Sequence, residues 1–488
     1  MKKAILYLLL FGAYIAHAQT ISITINGGTE KSVKITLPVN GYYGLPNTKT
    51  YTLNEQSGIQ VPNGLKTAGN IAIGYNGKTT RVFVEPGESL HVNITVAGKK
   101  QITDADGPNA AGIKLAEKLS HPFYQSGART YFKKDSTMAG IVTLIKRDID
   151  RETQPFDSLM VLKKITPAFY SGIKRDILCY YASVKAAVIL VEYARSTYDV
   201  KHPTYKASLN KDMEAAWPEI YKNFPPDEYA AGSPDFYYYA KDYIMWYKTM
   251  YLGSKAGTYQ AHPYNAENQY DMKYMAFDSY FTGKLKEYLL AMYLYEELLQ
   301  QDYQPQLVQL YNRFNATYPA SAYTTYLTPA VNNINTYLAK ARENFKPNQR
   351  LLASSTINNF DELMVNFKGK TVFIDMWATW CGPCKAEFEF NPDLKKYLAD
   401  NKVEMLYISM DKDNADKQWQ EMIKYYDLSG NHVRTTDNLR TDLMNRFWDG
   451  KGYSIPRYVI VKDGVIVEKD ALRPADKQKL YEQIGKYL

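Results

Sequence analysis

Two of the chain's three cysteines stand three apart, in the run Phe373-Ile374-Asp375-Met376-Trp377-Ala378-Thr379-Trp380-Cys381-Gly382-Pro383-Cys384-Lys385. Such a pair supports thiol–disulfide exchange, in which a thiolate rather than a thiol attacks a disulfide sulfur. The apolar residues ahead of the pair predict a buried strand, then a turn, then a helix opened by the two cysteines. Unpaired N–H groups and the positive dipole end at a helix start lower a thiol pKa. Cys381 is therefore the expected nucleophile, and Cys384, one turn further in, the thiol that resolves the mixed disulfide. Zinc would need a second Cys or His pair, and none has suitable spacing. A c-type haem would need His where Lys385 stands. A purely structural disulfide remains the alternative. No bound cofactor and no metal is expected.

The remaining reactive side chains carry weaker signals. Cys179 reads as a small apolar helix residue rather than a third redox thiol. The histidines His91, His121, His202, His262 and His432 are scattered without ligand spacing and read as structural or surface groups. Asp411 and Asp413 follow a predicted strand and read as solvated loop acids, because calcium would need more oxygen ligands at loop spacing.

The elements that must position the cysteines alternate strand and helix. Strands are predicted at 371–376, 403–410, 458–461 and 465–468, the last two joined by the hairpin signal Asp463-Gly464. Helices are predicted over 385–399, 415–426 and 474–488. Residues 343–356 read as a connector, so an α/β domain is placed at 346–488. Before it, residues 106–345 have helical periodicity punctuated by Pro167, Pro203, Pro218, Pro225-Pro226, Pro263, Pro305 and Pro319. This segment holds 30 of the 44 tyrosines. They read as helix–helix packing with hydroxyls reaching water, or as a surface that binds peptide, glycan or protein. In Tyr237-Tyr238-Tyr239 at least one ring must face out. Residues 19–105 show period-two patterns (Ile21, Ile23, Ile25; Val33, Ile35, Leu37) between turn signals, predicting a small antiparallel sandwich or barrel.

Composition sets the outer bounds. A chain of 488 residues, 45% hydrophobic and 14% aromatic, suggests about three domains and excludes wholesale disorder. The formal charge is +8, with no basic run interleaved with aromatics, so nucleic acid is not an expected partner. Lys2-Lys3, the apolar stretch Ala4–Ile15 and Ala16-His17-Ala18 have the form of a secretory signal over 1–18, with cleavage before Gln19. The mature chain is expected in the periplasm or cell envelope, with no stable membrane span.

From about Asn359 to Leu488 the sequence resembles the thioredoxin superfamily, most closely its exported TlpA/ResA-like branch. The resemblance rests on Trp-Cys-Gly-Pro-Cys-Lys after Asp-x-Trp-Ala, on Gly452-Tyr453-Ser454-Ile455-Pro456-Arg457 as the cis-proline loop, and on Asp463-Gly464 as the late hairpin. It implies a thioredoxin-like fold, a proton-handling acid at Asp375 and a second carboxylate at Glu387. It also implies a disulfide shielded by Trp380 and a cis Pro456 that holds Ile455 where a bound polypeptide can pair. Gly382-Pro383 between the cysteines resembles reducing rather than oxidising members, implying a reductant or isomerase of disulfides in exported proteins. Its electrons would come from a membrane donor of the DsbD/CcdA type. Two positions depart from the pattern. Tyr407 stands where thioredoxins carry a lysine near the buried acid. Glu389, not proline, follows Phe388, implying a helix without the usual kink. Val84-Glu85-Pro86-Gly87-Glu88-Ser89, ahead of helices and such a domain, resembles an architecture of exported Bacteroidota proteins. The rival expectation is an envelope binding protein that uses residues 19–345, with the thioredoxin-like domain as an accessory.

Overall fold

The computed structural model describes residues 19–98, 100–197, 209–258, 269–353 and 356–488; the expected signal segment 1–18, with His202, Pro203, His262 and Pro263, lies outside the described residues. The chain divides into two compact units: residues up to 295 with 314–326, and residues 296–313 with 327–488.

In the first unit, eight strands come first: β1 (Thr20–Asn26), β2 (Ser32–Thr36), β3 (Thr48–Thr52), β4 (Gly58–Pro62), β5 (Gly69–Tyr75), β6 (Lys78–Val84), β7 (Leu90–Ala97) and β8 (Lys100–Ala105). They form two four-stranded sheets, ordered β4-β1-β7-β8 and β3-β2-β5-β6. The period-two residues turn inward, with Ile21, Ile23 and Ile25 of β1 and Leu90, Val92 and Ile94 of β7 buried. Asn76 and Gly77 both take positive φ, the backbone a two-residue hairpin needs to match strand twist. One expectation fails: β1 pairs parallel with β7, so the first sheet is mixed rather than antiparallel.

Helices follow: α1 (Ala110–Ala116), α2 (Tyr124–Lys134), α3 (Met138–Val161), α4 (Pro167–Thr197), α5 (Lys211–Asn223), α6 (Phe236–Asp242), α7 (Gly253–Ala256), α8 (Gln269–Tyr280), α9 (Gly283–Leu299), α10 (Pro305–Thr317) and α11 (Thr324–Ala341). Pro167 and Pro305 open helices, where the missing N–H is an unpaired donor anyway, but Pro218 falls inside α5. α4 is long and apolar enough to cross a membrane by length and composition, and 72% of its apolar window is buried within the protein.

Most described tyrosines of this segment are buried, and several of their hydroxyls have protein partners, although that of Tyr221 is buried without one among the described residues. Tyr239 donates to the Phe224 carbonyl at 2.6 Å, Tyr124 to Asp242 at 2.7 Å and Tyr293 to the Tyr270 carbonyl at 2.8 Å. A buried ring whose one polar atom is satisfied adds apolar area without the cost of a lost hydrogen bond. In the Tyr237–Tyr239 triplet the two outer rings are buried and Tyr238 is exposed.

The second unit is built on a six-stranded sheet. Its strands are β9 (Gln349–Leu351), β10 (Thr371–Trp377), β11 (Glu404–Ser409), β12 (Gly430–Arg434), β13 (Arg457–Lys462) and β14 (Val465–Glu468), in the order β14-β13-β10-β11-β12-β9. Its helices after α11 are α12 (Phe360–Met364), α13 (Gly382–Glu387), α14 (Asn391–Asp400), α15 (Asp416–Tyr425), α16 (Asp437–Trp448) and α17 (Gln478–Gly485). The supposed connector holds β9, which pairs parallel with β12; three residues are too short a run to show a period. The single helix read over 385–399 is two, α13 and α14, separated by a 3₁₀ turn at Phe388–Phe390, with Pro392 in the first turn of α14. The α-helix is interrupted there although Glu389 is not proline.

His432 of β12 is buried, stacked on Tyr407 of β11 at 4.9 Å, with Nε2 at 2.9 Å from the Leu428 carbonyl and no partner at Nδ1 among the described residues. Burial lowers its pKa from 6.5 to about 4. The neutral ring favours the folded state, whereas an unfolded histidine takes up a proton below pH 6.5. The stability it contributes is complete above that pH and is lost as pH falls toward 4. Between pH 7 and pH 5 the loss is about 2 kcal/mol. Urea unfolding at the two pH values should show His432→Gln losing less stability than wild type by about that amount; parallel losses would refute it.

Candidate active site

β10 is flanked by β11 on one side, in parallel, and by β13 on the other, antiparallel. Every residue from Val372 to Trp377 is buried, as a central strand with covered faces requires. The strand ends at Trp377, and the chain turns so that the Cys381 N–H donates to the Ala378 carbonyl at 3.0 Å. Cys381 is the N-cap of α13, its Sγ accepting from the Cys384 N–H at 3.2 Å, and Pro383 lies in the first turn. The two sulfurs are joined as a disulfide. Both cysteines are buried, whereas Gly382, Pro383 and Trp380 are exposed, Trp380 by 59%. α13 has six residues, so the favourable field at Cys381 comes from its first N–H groups rather than from a long helix dipole.

The Ile455–Pro456 peptide is cis. Its loop reaches the cysteine motif through Tyr453, whose ring lies 6.4 Å from that of Trp380.

Asp375 sits in the middle of β10, fully buried. Its register partners are Tyr407 on β11 and Tyr458 on β13, so a carboxyl lies between two buried phenols. Neither carboxyl oxygen has a hydrogen-bond partner among the described residues. Burial first, then the nearby Glu387 carboxylate, pushes the Asp375 pKa well above the usual range. The phenols of Tyr407 and Tyr458 are pushed up as well, by burial and then by Asp375. With tyrosine at 407, β11 brings no cation to the acid, and the Tyr407 hydroxyl accepts from Asn391 Nδ2 at 3.2 Å. Glu387 is buried too, but anchored: Oε2 accepts from the Ala475 N–H at 3.0 Å and Oε1 lies 3.8 Å from Arg473. A proton held at Asp375 thus has a carboxylate neighbour that reaches toward a half-exposed arginine.

Two residues of the site escaped the sequence reading. Asp411 is not a solvated loop acid but 1% exposed. It accepts from the Thr379 N–H at 2.9 Å, the Thr379 hydroxyl at 2.8 Å and the Ser409 hydroxyl at 2.7 Å, and so pins the turn that carries Trp380 and Cys381. The available signal was its place two residues past the strand that pairs with β10, at the carboxyl edge where α/β sheets build their sites. Asp413 does meet solvent, paired with Arg434. Lys385 is the other, 4% exposed. Its ammonium donates to the Gln300 and Gln301 carbonyls at 3.4 and 3.3 Å, and burial lowers its pKa. Nothing near the motif in sequence announces that partner. Cys179 lies in the other unit, buried and without a disulfide, with its thiol pKa pushed up by burial.

Residues 340–484 match the Redoxin family. The thiol-disulfide oxidoreductase ResA of Bacillus thuringiensis subsp. konkukian is 38% identical over 63 residues, which cover 13% of this chain and 35% of the relative. ResA of a Bacillus cereus strain is 30% identical over 105 residues, 21% of this chain and 56% of the relative. The chain therefore spans about a third to about half the length of these curated relatives. Among solved structures, the thioredoxin domain of a thiol-disulfide oxidoreductase from Bacteroides vulgatus is 25% identical, covering 25% of this chain and 83% of that one, with a TM-score of 0.21. A thiol:disulfide interchange protein from Bacteroides sp. is 26% identical over 25% of this chain and 75% of that one, also at 0.21.

A carboxyl whose folded pKa is raised stays protonated where the unfolded one has ionised, so it costs stability increasingly as pH rises above the ordinary carboxylate range. Asp375→Asn should therefore raise the urea midpoint, by more at pH 8 than at pH 5; a gain independent of pH would remove the assignment. Asp411→Ala leaves the Thr379 N–H buried without its acceptor and should lower unfolding free energy by about 3 kcal/mol. Thr379→Ser keeps every bond, and its midpoint should stay near wild type.

Proposed function

The C-terminal domain belongs to the thioredoxin superfamily, and from it we propose that the chain is an exported thiol:disulfide oxidoreductase acting as a reductant or isomerase of disulfides in exported proteins. In the reduced protein the Cys381 thiolate attacks one sulfur of a substrate disulfide. That S–S bond breaks, the second sulfur leaves as a thiolate and takes a proton, and a mixed disulfide with Cys381 remains. Asp375 first gives its proton to Glu387, and the resulting carboxylate takes the proton of Cys384, whose thiolate attacks the Cys381 sulfur. The Cys381–Cys384 disulfide forms, the second substrate sulfur leaves as a thiolate and takes a proton from solvent, and two electrons have moved to the substrate. Glu387 returns its proton to solvent beside Arg473. Gly382 and Pro383 present the disulfide, while Trp380, Ile455 and Pro456 shape the groove for the incoming chain. Turnover needs an outside reductant, for which a membrane donor of the DsbD/CcdA type fits; maturation of cytochrome c apoproteins is a role reached by analogy alone.

The observation that carries this reading is Cys381 at the N-cap of α13, bonded to a resolving cysteine one turn on, next in the chain to a strand holding a buried acid. Export is supported by the residue pattern of 1–18, and a sandwich of the two N-terminal sheets by their alternating burial. The inward packing of the tyrosines favours a structural over a binding role for the helical segment.

Equilibration of the full chain against dithiothreitol or glutathione buffers should give a reduction potential near about −270 mV. A value near about −120 mV would make it an oxidant instead, and a disulfide that never opens would make it structural. Cys384→Ser should accumulate mixed disulfides with its substrates, and Cys381→Ser should form none.

A further inference from the structure

Trp380 is one end of an aromatic row that leads away from the disulfide. Its ring centroid lies 6.4 Å from Tyr453, and that of Tyr453 lies 6.2 Å from Trp448, the last residue of α16. Trp448 is backed by Phe447 at 6.1 Å and by the Arg457 guanidinium at 5.2 Å from its ring centroid. Arg457 is itself held, its Nε and Nη2 donating to the Lys469 carbonyl at 3.2 and 3.0 Å. Tyr453 and Trp448 are each half-buried. The row is thus fixed from behind and presents aromatic surface to solvent, starting at the residue before the nucleophile.

We propose that Tyr453 and Trp448 are specificity-determining residues, selecting as substrate an extended disulfide-bearing polypeptide with an aromatic side chain four residues from its reacting cysteine. The proposal rests on the redox reading above and names its substrate class. The spacing follows from geometry. Steps of 6.4 and 6.2 Å together set the outer reach of the row from Trp380, which an extended chain covers in about four residues at about 3.3 Å each. Side chains of an extended segment alternate between faces, so an offset of four returns to the face of the cysteine, whereas three points away. An aromatic ring delivered there adds to Tyr453 and Trp448 in the offset or edge-on arrangement that rings prefer.

The test uses the full chain, reduced with dithiothreitol and freed of it, in single turnover against disulfide-linked dimers of a Gly/Ser/Ala peptide with one cysteine. Three series carry Trp four residues from the cysteine, Trp three residues from it, or Ala throughout, and glutathione disulfide is the reference. The ratio of peptide rate to glutathione rate should be about fivefold higher for Trp at four than for Trp at three or for Ala. Trp448→Ala and Tyr453→Ala should each erase that preference, and Trp448→Phe should retain most of it. Equal ratios for all three peptides in the wild-type protein, or a preference that survives both alanine variants, overturns the proposal while leaving the redox reading intact. Failure to reduce even glutathione disulfide overturns the redox reading and this inference with it.

Discussion

The placement of the two sulfurs depends on where β10 stops. The strand is hydrogen-bonded on both sides, to β11 and to β13, and its side chains are buried through Trp377. A strand so constrained cannot slip, because a shift of one residue would send every side chain to the opposite face. Its end therefore sets the start of the turn at Ala378, and the turn sets Cys381 as the N-cap of α13. Asp411 reinforces the same point from the neighbouring strand, both of its carboxylate oxygens engaged by Thr379 and Ser409. The turn that carries Cys381 is held by the backbone on one side and by a buried carboxylate on the other.

The same register puts Asp375 between two tyrosines, and this is the site's unusual electrostatic feature. An isolated carboxyl in a dry sheet stays protonated, since no cation or donor compensates the charge. Where a lysine would have pulled its proton off, Tyr407 supplies a ring stacked on neutral His432. The core here is neutral through its choice of residues: phenol, imidazole and carboxylic acid in adjacent positions on adjacent strands. Glu387, the carboxylate nearest this acid, is anchored by a backbone N–H and lies beside Arg473.

The second unit is also larger than the segment that matches a family. Residues 296–313 and 327–341 belong to it, and they bring groups that the α/β core lacks. Tyr303 shares a 2.6 Å hydroxyl contact with Tyr426 and stacks on Tyr337 at 4.6 Å, while Tyr426 in turn lies 5.0 Å from Phe388, just past α13. With Lys385 bound to the Gln300 and Gln301 carbonyls, the back of α13 is covered by chain that comes well before the matched residues 340–484. Tyrosine suits this use, since its ring fills the contact and its hydroxyl closes a hydrogen bond in the same place.

The proposed chemistry is legible in residue order alone. Two cysteines at helical spacing after an apolar strand, with Gly-Pro between them, mark the dithiol proposed for exchange, because that reactivity depends on local order and on a helix start. The change from period two to helical period is equally legible, since burial of one face leaves its mark every second or every third to fourth residue. Everything set by partners distant in the chain had to wait for the fold. Asp411 looks like any loop acid until β11 is laid beside β10, and Lys385 looks like a surface charge until the chain after α9 covers it. β9 is too short for any period to reveal, and the parallel β1–β7 pair depends on how strands far apart in the chain meet. A carboxylate, an ammonium or a short strand is read from sequence by its average behaviour in water; folding replaces that water with specific neighbours, and here those neighbours decided the role.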